Sequence, residues 1–189
     1  MEGHGHGWTA AASFVAMWTA MMAAMMLPSL VPVMARSARP FVLALGYGSV
    51  WAALGAIVHP AYVHAADAPS LPIPTGLLLL FVGALQLTSW KARHLERHQA
   101  MVVAAGTAPA RSAAAAWREG MKLGACCLRS CAGPTAVMLA LGPMDLRVMA
   151  VVGLAVTAER LPRQGVLVAR ATGAAAVIAG FIALGAARA

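Results

Sequence analysis

The sequence predicts an all-α membrane protein, a single-domain bundle of about six transmembrane helices. Of its 189 residues, 61% are hydrophobic and only 11% are charged, with a mean hydropathy of +0.76. Soluble domains are nearer half apolar and a quarter charged. The apolar residues also form long blocks, and roughly 20 helical residues cross the hydrocarbon core of a bilayer. With so few charges the chain could not cover the surface of a soluble globular domain.

Apolar blocks of nearly span length follow one another along the chain. Arg129 interrupts the fourth block, and Gly133-Pro134 and Gly142-Pro143 can break or kink a helix. Segment 124–158 is therefore either two full spans or a re-entrant segment whose backbone other helices must shield. The predicted spans lie near residues 8–34, 41–59, 71–90, 124–141, 146–158 and 166–184.

The net charge is +8, and the positions of the basic residues along the chain indicate how it is oriented in a membrane. Lysines and arginines concentrate between spans one and two, three and four, and five and six. The positive-inside rule places these connections in the cytoplasm, including loop 91–118, and both termini outside. The expected partner is therefore the lipid bilayer, and no nucleic acid is expected despite the positive charge.

Two pairs of metal-ligating residues share a spacing of one helical turn. His94 and His98 would lie on one face of a helix continuing from span three. Cys127 and Cys131 have the same spacing near the cytoplasmic end of span four, with Cys126 beside them. Two thiolates and two imidazoles form a tetrahedral set suited to copper or zinc. The alternative is that the histidines are solvated and the cysteines are small packing residues.

Span one carries a dense stripe of methionines. Thioethers are soft ligands that favour Cu(I), whereas methionine is also a common packing residue between helices. Both interpretations of the stripe stay open. The stripe comprises Met17, Met21, Met22, Met25 and Met26.

Histidines also occur on the predicted outer side. His4 and His6 precede span one, and His59 and His64 flank the outer end of span two. These four could capture a metal ion, or they are scattered solvated residues.

Polar residues inside the predicted spans are costly unless they are paired or lined by water. Gln86 lies in span three and Glu159 at the inner end of span five. Glu159 could pair with Lys91, Lys122 or Arg129. Lys122 and Arg129 are also the cations expected to stabilise thiolates, since they lie close to the cysteines in sequence.

Several of these motifs occur in the order seen in a bacterial family. The segment Met17-Trp-Thr-Ala-Met21-Met-Ala-Ala-Met25-Met-Leu-Pro28 resembles the opening motif of the predicted metal-binding integral membrane proteins (domain of unknown function 2182). Gly46-Tyr47-Gly-Ser-Val-Trp51, Gln86-Leu-Thr88 with Lys91, and Gly124-Ala-Cys-Cys127-Leu-Arg-Ser-Cys131 are similar to its later motifs. His94-Leu-Glu-Arg-His98 replaces a cysteine pair of the family, and Ser89 replaces a proline. The resemblance implies metal binding and a location in the bacterial inner membrane.

Together these features predict a membrane protein that binds copper ahead of zinc and acts in metal transport, delivery or homeostasis. The alternative is a non-catalytic accessory subunit of a larger membrane complex, such as a metalloenzyme. The sequence shows no nucleophile–base pair, no phosphate-binding loop and no catalytically spaced acidic pair, so we expect no enzymatic activity.

Overall fold

The computed structural model describes residues 3–67, 75–105, 112–141, 146–160 and 164–186. These residues form seven helices and no strand, which confirms the all-α prediction. The helices are α1 (Gly3–Met34), α2 (Pro40–Asp67), α3 (Thr75–Leu87), α4 (Ser89–Ala105), α5 (Ala113–Leu141), α6 (Leu146–Glu159) and α7 (Gly165–Ala186).

Three of the described helices contain a segment long and apolar enough to cross a membrane. These segments are Trp8–Met26, Pro40–Pro60 and Gly165–Ala186. The pair α3 and α4 would add a fourth if it is counted as one broken span. A polytopic helical bundle is consistent with these lengths, and the count of six spans stays a prediction.

The chain bends by 63° between α3 and α4. Thr88 explains the break, because its hydroxyl donates to the carbonyl of Leu85 at 2.6 Å and accepts the amide hydrogen of Lys91 at 3.3 Å. The second contact is that of a helix N-cap residue. His94 and His98 therefore lie on a separate helix and not on a continuation of span three.

Helix α5 begins well before the predicted start of the fourth span at residue 124. The Ser112 hydroxyl caps it by accepting the amide hydrogen of Ala115 at 3.1 Å. The helix continues without interruption through Gly133 and Pro134, which the sequence indicated as a break or kink. The ends of the predicted loop 91–118 are thus helical, whereas Gly142 and Pro143 lie outside the described residues.

The chain divides into two compact units. The first unit comprises residues 1–71 and 104–125, and the second comprises residues 72–103 and 126–189. In the first unit, α1 packs on α2. Large apolar side chains form the core of this unit. Among the largest are Trp18, Trp51, Met22, Met26 and Leu43.

In the second unit, α3 and α7 approach each other through glycines. A Cβ atom added at Gly83 would lie 2.8 Å from the carbonyl oxygen of Gly173, and one added at Gly76 would lie 2.8 Å from that of Gly180. Only glycine permits this separation, as in the small-residue interfaces of membrane helices. The close approach brings Thr172 of α7 to the polar residues of α3.

Candidate metal centre

A buried ion pair lies in the second unit. The Lys91 ammonium is 2.7 Å from Glu159 Oε2, and the two side chains are 4% and 2% exposed. Gln86 donates to Glu159 Oε1 at 2.5 Å, and the Thr172 hydroxyl donates to the same oxygen at 3.1 Å. The carboxylate is therefore held by three helices besides its own.

Further hydrogen bonding completes the surroundings of this pair. Lys91 also donates a short hydrogen bond to the carbonyl oxygen of Ser130 on α5. A buried ion pair is tolerated when its remaining donors and acceptors are satisfied, because both charges have lost their hydration. Of the pairings open to Glu159 from the sequence, the structure forms the one with Lys91.

The three cysteines are buried on α5. Cys126, Cys127 and Cys131 are at most 4% exposed and form no disulfide. Cys127 and Cys131 lie one turn apart with their side chains in hydrogen-bonding contact. The spacing of four residues on a continuous helix explains why these two thiols meet.

Arg160 lies against the thiol pair. Its Nη2 atom is 2.8 Å from Cys127 Sγ. The Thr135 hydroxyl donates to Cys131 Sγ at 3.7 Å, and that thiol lies 3.7 Å from the carbonyl oxygen of Leu128. A guanidinium beside a sulfur stabilises the thiolate, which is the form that binds metal.

The thiol pair and the ion pair are joined at the end of α6. Glu159 is the last residue of that helix, and Arg160 follows it directly. Glu159 reaches Lys91, while Arg160 reaches Cys127. Two consecutive side chains thereby connect the two clusters.

The predicted histidine ligands lie on α4. His98 is 3% exposed, whereas His94 is partly exposed, with its ring 4.2 Å from that of Trp90 and its Nδ1 atom 2.9 Å from the Trp90 carbonyl oxygen. Across the described ranges, no group of three or more His, Cys, Asp or Glu side chains is arranged to hold a metal ion. The structure thus brings together Cys127 and Cys131 but does not assemble the four-residue set.

The methionine stripe contributes mainly to packing in the first unit. Met21, Met22 and Met26 are buried, Met25 is partly exposed, and Met17 is 54% exposed. The burial favours the packing interpretation of Met22 and Met26.

The histidines of the predicted outer side differ in their surroundings. The His59 ring lies 5.1 Å from the ring of Phe14, and His64 is exposed. The side chains of His4 and His6 lie outside the described part of the structure.

The donor atoms of the thiol pair suit a soft metal ion. Thiolates select Cu(I) among the ions of the first transition row, alongside zinc and iron–sulfur clusters. The two sulfurs are buried and a guanidinium lies beside them, so a bound cuprous ion would be shielded from water and its thiolate ligands would have a positive charge nearby. The residues present therefore fit copper as a cargo.

Comparison with known protein families matched residues 15–183 to a family described as PpoB2, copper chaperone. This range includes the thiol pair and both residues of the buried ion pair. Comparisons with curated proteins and with solved structures found no match.

Proposed function

Because this chain belongs to the copper chaperone family PpoB2, we propose that it is a membrane-embedded protein that receives Cu(I) and holds it for delivery. We assign the cargo site to Cys127 and Cys131. The observation that carries this assignment is the contact of the Arg160 guanidinium with Cys127 Sγ at 2.8 Å.

Charge balance supports the assignment. Two thiolates and one cuprous ion carry a net charge of −1, and such a charge is costly in a buried site unless it is paired. Arg160 supplies one positive charge, since a guanidinium stays protonated throughout the physiological range. The copper-loaded site would therefore be neutral.

Membrane insertion is part of the proposal. Its support is the three apolar helical segments long enough to span a bilayer, together with the low charge content. Following the positive-inside rule, we place the chain in the bacterial inner membrane with both termini outside. The thiols then lie near the middle of α5, at the cytoplasmic end of the predicted span 124–141.

The proposed role is binding and transfer, and not catalysis. Copper transport, delivery and homeostasis are all served by a site that binds Cu(I) and releases it to another protein. Partner subunits or recipient proteins in the membrane would complete such a role. We infer no reaction for this chain, since its cargo leaves chemically unchanged.

The deciding experiment is Cu(I) titration of the purified full chain in detergent, under reducing conditions, in competition with a chromophoric chelator. We expect the wild type to bind one cuprous ion per chain, and the double variant Cys127→Ser/Cys131→Ser to lose it. Cys126→Ser is the matched control, because it removes a buried thiol of the same helix outside the pair. Retained stoichiometric binding by the double variant would refute the assignment.

Two further variants test whether the other predicted ligands contribute to copper binding. His94→Ala/His98→Ala tests whether imidazoles complete the site, and Met22→Leu/Met26→Leu tests the methionine stripe at nearly constant volume. We expect both to keep the bound ion. A wild type that binds no metal and copurifies with other subunits would instead favour the accessory-subunit role.

A further inference from the structure

A pocket of about 490 Å³ lies within the second unit between α3, the first turn of α4 and α5. Its volume falls within the range of about 300–1,000 Å³ typical of ligand pockets. It is not part of the thiol pair, and none of the cysteines lines it. The copper-binding role therefore leaves this pocket without a function.

The pocket has an apolar end and a polar end. Lys91, in the first turn of α4, contacts Ser130, and a Cβ atom added at Gly133 would lie 3.2 Å from Val82, so the chain from α3 into α4 passes α5 in the opposite direction. Leu78, Phe81 and Ala136 therefore line one end, and Trp90, Lys91 and Arg129 line the other. The eight-residue step from Leu78 to Gln86 spans about 12 Å.

The polar end carries a net positive charge. Lys91 is neutralised by Glu159, and Gln86 is engaged by the same carboxylate. Arg129 is exposed, and no salt bridge joins it to a carboxylate of the described residues. The guanidinium is therefore available to an anion entering the pocket.

Both ends of the pocket are open to the surroundings. Phe81 is 63% exposed and Trp90 is 43% exposed. A tryptophan beside an arginine resembles the side chains that anchor proteins at the headgroup level of a bilayer. A water-soluble anion would satisfy Arg129 but leave the apolar wall uncovered.

We propose that this pocket binds an anionic phospholipid of the cytoplasmic leaflet. The phosphate lies at Arg129, the glycerol region lies beside Trp90, and one acyl chain follows Phe81 toward Leu78 and Ala136. Basic pockets at the cytoplasmic side of membrane helices recognise anionic headgroups by this combination of charge and apolar contact. The proposal depends on the membrane location but not on the copper site.

The test is native mass spectrometry of the full chain in neutral detergent, titrated with phosphatidylglycerol or with phosphatidylcholine of the same acyl chains. We expect preferential binding of phosphatidylglycerol. Arg129→Ala should weaken that binding about tenfold or more, because it removes the cation that pairs with the net negative charge of phosphatidylglycerol, whereas the choline ammonium of phosphatidylcholine already offsets its own phosphate. Binding of phosphatidylcholine should change less.

Matched variants separate headgroup from acyl-chain recognition. Arg170→Ala removes an exposed arginine of the same unit that does not line the pocket, and it should bind both lipids as the wild type does. Ala136→Phe fills the apolar end and should weaken both lipids alike. Arg129→Lys should restore most of the preference, which distinguishes charge from misfolding, and circular dichroism should show unchanged helicity in every variant.

Three results would overturn the proposal. The first is equal affinity of the wild type for the two lipids, and the second is equal behaviour of Arg129→Ala and Arg170→Ala. The third is displacement of the lipid by glycerol 3-phosphate at similar concentration, which would identify a site for a soluble phosphate. Loss of copper binding in the cysteine variants would leave all three readouts unaffected.

Discussion

The two units of this chain differ in what they bury. In the first unit the buried side chains of the described residues are apolar or aromatic, with Trp18, Trp51 and Met22 among the largest. In the second unit, polar and charged side chains are buried as well as apolar ones. The polar and charged ones comprise Gln86, Lys91, His98, Ser130, Thr135 and Glu159.

The buried side chains of the first unit serve packing, whereas the second unit also buries side chains that carry charge and can bind ligands. Apolar side chains tolerate substitution by neighbours of similar volume, whereas buried charged groups require specific partners. The thiols belong to the second unit, where α3, α4, α5, α6 and α7 supply such partners. Substitutions in the second unit should therefore affect stability and copper binding more sharply than those in the first.

Among substitutions that keep the side-chain volume nearly constant, Lys91→Met should have the largest effect on stability. It leaves the Glu159 carboxylate buried without a cation, which typically destabilises a protein by about 3–5 kcal/mol. The measurement is denaturant unfolding in detergent followed by circular dichroism. Lys122→Met, at an exposed lysine of the first unit, is the control and should change stability by no more than about 0.5 kcal/mol.

The paired change Lys91→Met/Glu159→Met sharpens this comparison. It removes both charges and should recover most of the loss, since replacing a whole buried ion pair by apolar groups is often neutral. Equal effects of Lys91→Met and Lys122→Met would contradict the distinction between the two units.

Arg160→Gln should weaken Cu(I) binding about tenfold to a hundredfold, because a charge-assisted hydrogen bond contributes about 1.5–3 kcal/mol. Chelator competition measures the change, with Arg170→Gln as the control on the same unit. An unchanged affinity would mean that the guanidinium does not compensate the charge of the loaded thiols.

Gly83→Ala should destabilise the second unit by about 1–3 kcal/mol, the usual range for overpacking. Its added Cβ atom would lie 2.8 Å from the Gly173 carbonyl oxygen. Gly185→Ala on α7 is the control, since an added Cβ atom there has no other atom within 4 Å. Thermal unfolding compares the two, and equal midpoints would disprove the close approach of α3 and α7.

Trp51→Phe should have the smallest effect, within about 1 kcal/mol. The indole N–H of Trp51 is buried without a hydrogen-bond partner among the described residues. Removing it offsets part of the lost packing, because an unsatisfied buried donor is itself destabilising. Trp51→Ala should cost about 3–5 kcal/mol in the same unfolding assay, and a similar loss in Trp51→Phe would show that the indole is bonded.

The sequence predicts the helices better than their junctions. Apolar runs locate α1, α2 and α7, because a long hydrophobic segment can be recognised in the sequence without knowledge of its tertiary contacts. The break at Thr88 escapes this reasoning, since a single threonine is compatible with a continuous helix. The break is indicated only by the hydrogen bonds of the folded chain, in which the Thr88 hydroxyl donates to the carbonyl of Leu85 and accepts from the amide of Lys91.

The candidate site shows the same limit. The spacing of Cys127 and Cys131 predicts that these thiols share a helix face, and the structure places them so. Proximity in sequence predicts Lys122 and Arg129 as the cations near these thiols. The hydrogen bond to Cys127 instead comes from Arg160, which is 33 residues away in sequence and reaches the thiol only through the packing of α6.

The end of α6 has a mechanical consequence. Glu159 and Arg160 share a peptide bond, yet one is fastened to Lys91 and the other to Cys127. A movement of the backbone at this helix end would therefore displace both the guanidinium at the sulfur and the carboxylate bound to α3, α4 and α7. The position of this helix end is thus fixed by two contacts, one at the ion pair and one at the thiol pair.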